Sequence, residues 1–201
     1  MELLVFDMGH VFVDFDWDIV TEGFCHKSGK SRQELQRSFR RIAGLGYESG
    51  HVSTSEFLNE LNSYLGTAIS LDEFKELWNA TFHENEEMAV LLHQLKQERP
   101  LYLLSNTNEI HFDHLESKYN VSRHFTELVL SYRVGCSKPD PSIYEEVLRR
   151  CGQPANKCLF IDDLEANVAA ARDIGMRAIK FTGASQLKAE LSELGFISPS
   201  P

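Results

Sequence analysis

Four short stretches place chemically capable residues directly after apolar runs. The first, Leu3-Leu4-Val5-Phe6-Asp7, ends abruptly in a carboxylate, and Gly9 follows where a backbone can approach a ligand closely. The second, Leu104-Ser105-Asn106-Thr107, sets a hydroxyl and backbone N–H groups ahead of a helix start, an arrangement that binds phosphate or another anion. The third, Gly135-Cys136-Ser137-Lys138-Pro139-Asp140-Pro141, holds a compact positive charge in a Pro-containing turn. Lys138 can there neutralise a phosphate oxygen or a nucleophilic carboxylate. The fourth, Phe160-Ile161-Asp162-Asp163, carries two adjacent carboxylates, which repel without a cation. Oxygen-only ligands at a sheet edge suit Mg²⁺. Singly, each has a plain structural reading: a turn cap, an N-cap, a surface lysine, a capped first turn. In this order, each after a strand, they point to one phosphate- and metal-handling site.

Such residues meet only if the apolar runs lie side by side. Residues 3–6, 101–104, 128–130, 158–161 and 178–181 read as short buried strands. Helical patterns separate them. Met88, Leu91, Leu92 and Leu95 mark one helix before Pro100, and another starts near Glu109. Asp140-Pro141 supplies an N-cap and first-turn proline, with Ile143, Val147 and Cys151 as the buried face. Leu164, Val168, Ala171 and Ile174 line a helix stopping at Gly175, and Leu187, Leu191 and Leu194 face a final one. The alternation predicts an α/β fold: a Rossmann-like parallel sheet with helices on both faces, its chemistry at the carboxyl ends of the strands.

Residues 16–82 interrupt that alternation with almost no strand signal. A helix is expected around Ile19 to Cys25. Three capping boxes follow, Ser31 with Glu34, Ser53 with Glu56 and Ser70 with Glu73, each opening an amphipathic run. The reading is a catalytic core of residues 1–15 and 84–201 with a helical-bundle cap, 16–83, inserted after the first strand. Gly44, Gly46 and Gly50 do not match GxGxxG and follow no strand, so no nucleotide loop is read there. The Ser198-Pro199-Ser200-Pro201 tail is expected to fray.

Composition narrows the partners. The 201 residues carry a net charge of −10, which argues against a nucleic-acid surface. Arg37, Arg40 and Arg41 form one basic cluster, read as a solvated helix face. No run is apolar for long enough to span a membrane, and the N-terminus lacks the basic region of a secretory signal. Cys25, Cys136, Cys151 and Cys158 show no zinc or CxxC spacing, which fits reduced thiols in a cytoplasm. His111 and His114 lie three apart on a helix but have no third ligand nearby in sequence.

The four stretches and the inserted bundle resemble the haloacid dehalogenase superfamily, in its phosphatase branch, over essentially the whole chain. Residues 134–176 look especially close to family members, including the phosphatase domain of soluble epoxide hydrolases. The Phe6-Asp7-Met8-Gly9-His10-Val11 opening is similar to a bacterial subgroup acting on α-D-glucose 1-phosphate and other sugar phosphates. The resemblance implies that Asp7 is a nucleophile, forming an aspartyl-phosphate that water hydrolyses. It implies Mg²⁺ held by Asp7, the Gly9 carbonyl and Asp163, with Asp162 supporting through bound water. Ser105, the Asn106 amide and Lys138 would hold the phosphoryl oxygens, and Asn167 would orient the metal-binding acids. The substrate would be a small phosphorylated metabolite touched by cap residues, with Trp17, Arg40, Arg41 and Tyr47 as candidates.

One departure stands out. Most phosphatases of the family carry a second aspartate two residues after the nucleophile, to protonate the leaving oxygen and activate water. Here that residue is Gly9. A missing general acid–base costs about 10²–10⁴ in rate. Either His10 or Asp14 replaces it, or the substrate has a good leaving group, as anomeric sugar phosphates do, or catalysis is weak. Two rivals share the fold: a metal-independent 2-haloacid dehalogenase, disfavoured by Asp162-Asp163, and a non-catalytic binding protein, disfavoured by the costly clustered charges.

Overall fold

The computed structural model describes residues 2–198. The expectation for Pro199, Ser200 and Pro201 lies outside the described residues. The strands are β1 (Leu3–Phe6), β2 (Val13–Asp14), β3 (His83–Glu84), β4 (Leu101–Ser105), β5 (Glu127–Leu130), β6 (Cys158–Asp162) and β7 (Arg177–Lys180). The helices are α1 (Trp17–Ser28), α2 (Arg32–Ala43), α3 (Thr54–Leu65), α4 (Leu71–Trp78), α5 (Glu86–Lys96), α6 (Glu109–Tyr119), α7 (Ser131–Val134), α8 (Pro141–Cys151), α9 (Glu165–Asp173) and α10 (Ala184–Glu193).

Five strands form one parallel sheet in the order β5-β4-β1-β6-β7. β1 is central, which explains why all four of its residues are apolar and buried. Leu4 and Phe6 face a cluster that includes Leu91 and Leu95 of α5 and Leu187 and Leu191 of α10. Leu3 and Val5 face the other, with Ile143 and Val147 of α8 and Ala171 of α9. The edge strands β5 and β7 bury fewer of their residues. The chain leaves β1 toward β4 and later crosses to β6 on the other side. That reversal opens a crevice at the carboxyl ends of β1 and β6, where open α/β sheets bind ligands.

The interrupting segment folds as α1–α4, with a hydrophobic cluster of its own that includes Phe24, Leu35, Leu61, Phe74 and Trp78. All three predicted capping boxes form, at Ser31, Ser53 and Ser70. Asp16 caps α1, accepting from the Asp18 N–H at 2.8 Å. The segment enters and leaves through β2 and β3, which pair antiparallel with Val13 opposite Glu84 and Asp14 opposite His83. This ribbon and the single turn α7 are too short to leave a periodic signal, so sequence reading did not find them.

Two apolar residues depart from their expected faces. Leu164 is the N-cap of α9, and both it and Leu194, just past α10, are exposed. Each lies at a helix end, where the apolar stripe has already turned out of the core. Among the described residues no helix is long and apolar enough to cross a membrane.

Candidate active site

Strand register brings the first and fourth stretches together. Phe6 pairs with Ile161, so Asp7 and Asp162 emerge side by side, and the Asp7 N–H donates to the Ile161 carbonyl at 2.9 Å. Phe6 also pairs with Leu103, leaving Ser105 one step beyond Asp7 on the neighbouring strand. Lys138 arrives from the loop before α8, across a cis Lys138–Pro139 bond.

Lys138 joins the two carboxylates. Its Nζ lies 2.7 Å from Asp7 Oδ1 and 2.7 Å from Asp162 Oδ2, with all three residues buried. Such a pairing survives away from water only when each charge is met. Burial disfavours the ammonium, but the two carboxylates outweigh it and raise its pKa. Burial also pushes the Asp7 carboxyl up, against the pull of Lys138 and with the push of Asp162.

The two acids of the pair play different parts. Asp162 Oδ1 accepts from the Leu164 N–H at 2.8 Å and the Asn167 Nδ2 at 3.0 Å, while Oδ2 accepts from Lys138 at 2.7 Å and Asn167 at 3.0 Å. Asn167 is placed in turn by Tyr144, whose hydroxyl donates to its carbonyl at 3.0 Å. Asp162 is therefore saturated with protein donors. Asp163 is half-buried, and burial followed by the neighbouring Asp162 pushes its carboxyl up. On Asp7, the Met8 N–H and Lys138 both bind Oδ1, leaving Oδ2 clear of those donors. Asp7, Asp162 and Asp163 each offer an oxygen within 4.8 Å of the others, a donor set that fits a hard divalent cation.

Ser105 is buried at the end of β4. The Asn106 side chain is bound to the Lys138 backbone. Its Nδ2 donates to the Lys138 carbonyl at 2.9 Å and its Oδ1 accepts from the Lys138 N–H at 2.8 Å. That reciprocal clamp fixes the lysine backbone, so only the Asn106 main chain is left to meet an anion.

A cavity of about 70 Å³ adjoins these groups, lined by Gly9, Phe15, Glu48, Ser105, Asn106 and His111 among others. It shares Trp17 and Glu48 with a larger cavity of about 510 Å³ among the inserted helices, where Arg40, Tyr47 and Trp78 also stand. Trp17, Arg40 and Tyr47 thus line this larger cavity. Arg41 does not. Consecutive helical residues point about 100° apart, and Arg41 turns outward to lie 5.6 Å from the Tyr64 ring centroid. His10 and Asp14, offered as proton donors, are exposed side chains 3.8 Å apart and line neither cavity.

The description "haloacid dehalogenase-like hydrolase" matches residues 1–175. This chain belongs to that family. D-Ribitol-5-phosphate phosphatase of Bacteroides thetaiotaomicron is 27% identical over 199 residues, covering 94% of this chain and 96% of the relative. A phosphatase of Mycobacterium tuberculosis is 29% identical over 206 residues, covering 96% and 95%. A haloacid dehalogenase family enzyme from Bacteroides thetaiotaomicron, crystallised with magnesium and inorganic phosphate, superposes with a TM-score of 0.81 at 26% identity, over 90% of this chain and 93% of that one.

In this haloacid dehalogenase-like hydrolase, sequence reasoning overlooked Glu48, Phe15 and Ser131. Glu48 lies between Gly46 and Gly50 in the loop preceding the Ser53 cap. A carboxylate between glycines in a helix–helix connection was the available signal. Phe15 and Ser131 left none, because their parts depend on contacts distant in sequence.

Proposed function

We propose that this hydrolase is a Mg²⁺-dependent phosphatase of a small phosphorylated metabolite, acting through an aspartyl-phosphate on Asp7. The observation carrying the reading is the buried Asp7–Lys138–Asp162 chain beside Asp163, at the switch point of the sheet. Asp7, Asp163 and the Gly9 carbonyl would hold the cation, and Asp162 would support it through water. When bound, the cation supplies neutralisation of the phosphoryl oxygens. Asp7 attacks phosphorus through the oxygen that its protein donors leave clear. Lys138, Ser105 and the Asn106 main chain balance charge on the transferred group, which is most of what phosphoryl transfer asks of a protein. The phosphatase relatives and the magnesium- and phosphate-bound neighbour support this reading.

Residues 1–15 and 84–201 serve as the catalytic core and 16–83 as the cap. The substrate is a sugar phosphate seated in the cavity of the cap, with Arg40, which lines it, as the nearer of the two candidate arginine contacts. Trp17 and Trp78 offer flat apolar walls, and Arg40 and Asp18 offer polar partners for hydroxyls. An anomeric ester such as α-D-glucose 1-phosphate suits a site with Gly9 best, because its leaving oxygen is more acidic than that of an alkyl ester. A metal-independent dehalogenase has less support, since three clustered carboxylates would then lack their cation.

The test is phosphate release from α-D-glucose 1-phosphate and a panel of sugar and nucleotide phosphates, with Mg²⁺ and with EDTA, beside Asp7→Asn. Magnesium-dependent release that the substitution abolishes is expected. No release from any ester, with Mg²⁺ still bound, would instead favour a binding protein.

A further inference from the structure

The carboxylate missing at position 9 has a counterpart elsewhere in the lining of the cleft. A Cβ built on Gly9 would come 3.0 Å from Phe15 Cε1, so that ring crowds the space a side chain there would enter. Glu48 lines the same cavity, together with Gly9, Ser105 and Asn106. Glu48 belongs to the α2–α3 loop, yet the core holds it in place from two sides. The Ser131 hydroxyl bonds to the Glu48 carbonyl. Gly50, at φ 70°, lies so close to the core that a Cβ would fall 2.1 Å from the Tyr132 carbonyl oxygen. Only a glycine permits that approach. The Glu48 side chain is thereby delivered to the cleft by a backbone anchored on the core.

We propose that Glu48 protonates the leaving oxygen of the substrate and then serves as base for the hydrolytic water. This rests on the phosphatase reading above. In the first step an Asp7 oxygen bonds to phosphorus, the ester P–O bond breaks, and the Glu48 proton passes to the departing alkoxide. In the second, water attacks phosphorus, the bond to Asp7 breaks, and Glu48 takes the proton from that water, which restores both carboxyls and releases phosphate. The placement suits an in-line reaction: the nucleophile stands just past the end of β1, and a leaving group directed toward the inserted helices would meet Glu48. Glu48 remains open to solvent through the cleft, which gives water its route. Its carboxyl is nonetheless crowded enough that burial pushes it above the ordinary carboxylate value. The charged or titratable groups sharing its surroundings are Asp18 on α1, Arg40 on α2 and His111 on α6, with Tyr47 beside it in the loop.

The test compares wild type, Glu48→Gln and Glu48→Asp on glycerol 3-phosphate and p-nitrophenyl phosphate with Mg²⁺, with thermal melts to verify folding. Glu48→Gln should lower kcat on the alkyl ester by about 10²–10⁴ with little change in KM. On the aryl ester it should keep a fast burst of about one equivalent of p-nitrophenol per enzyme, because that leaving group needs no proton, followed by slow turnover. Glu48→Asp should recover part of the loss. Equal losses on the burst of both esters, a change confined to KM, or unchanged kinetics in an active enzyme would overturn the proposal and leave the phosphatase reading standing. A wild type with no magnesium-dependent release would overturn both.

Discussion

At the scale of single residues, the site is governed by charge that burial makes costly. Lys138 neutralises Asp7 and Asp162 from 2.7 Å each. Lys138→Met should cost about 3–5 kcal/mol, because it strands two buried carboxylates. Urea unfolding should report that loss, and millimolar Mg²⁺ should recover more stability in the variant than in wild type by supplying the missing positive charge. Gly9 obeys a different constraint, the Phe15 ring. Gly9→Asp alone should therefore destabilise by about 1–3 kcal/mol, as overpacked cores do, and give little activity. Combining it with Phe15→Ala should relieve the crowding and raise turnover on alkyl phosphates relative to Gly9→Asp. Steady-state kinetics and melting of the pair would decide it.

At the scale of elements, the inserted helices owe their start points to short-range chemistry. The Ser53 hydroxyl caps Glu56 while the Glu56 carboxylate accepts from the Ser53 N–H at 2.9 Å. Ser53→Ala should cost about 1 kcal/mol. Chemical denaturation would measure it, and phosphate release should change little, since Ser53 itself lines neither cavity. Asn106 acts between elements: its clamp on Lys138 ties the end of β4 to the loop before α8. Asn106→Ala should lower activity by loosening the lysine, with Asn106→Asp failing to restore it because one of the two bonds needs a donor.

At the scale of the molecule, the inserted helices and the helices around the sheet meet through a buried histidine. The His111 backbone N–H donates to Asn108 Oδ1 at 3.0 Å, which aims the Asn108 amide nitrogen at His111 Nδ1, 3.1 Å away. Nδ1 must then accept, and Nε2–H donates to the Trp78 carbonyl at the end of α4, at 3.1 Å. The ring also stacks on Trp78, with centroids 5.3 Å apart. Burial holds its pKa down at about 3, far below the unfolded value of about 6.5. Above about pH 6.5 the histidine is neutral in both states and its seam is at full strength. As pH falls toward about 3, the unfolded chain takes the proton first and stability declines, by at most about 1.4 kcal/mol per pH unit. Asp7, raised by burial, acts in the opposite sense. The expected outcome is thus a difference: between pH 7 and 5 in EDTA, wild type should lose stability relative to His111→Gln.

Much of this protein was legible along the chain because its causes are local. Five apolar runs, three capping boxes and the Asp140-Pro141 start are short-range signals, and each produced its element. The four polar stretches were readable because a parallel sheet collects strand ends at one edge. The inserted bundle was readable by its missing strands. Partnership across the fold was not. That Asn106 spends its side chain on Lys138, that Arg41 turns away while Arg40 faces the cavity, and that Phe15 fills the space beside Gly9 depend on residues brought together by folding. Glu48 illustrates the division best. Its loop could be inferred from the glycines and the cap that follow, but its place at the cleft arises only when Ser131 and Tyr132, more than eighty residues downstream, receive that loop on the core. Side-chain type and helical period act over a few residues. Which carboxylate faces which anion is settled by packing between distant segments.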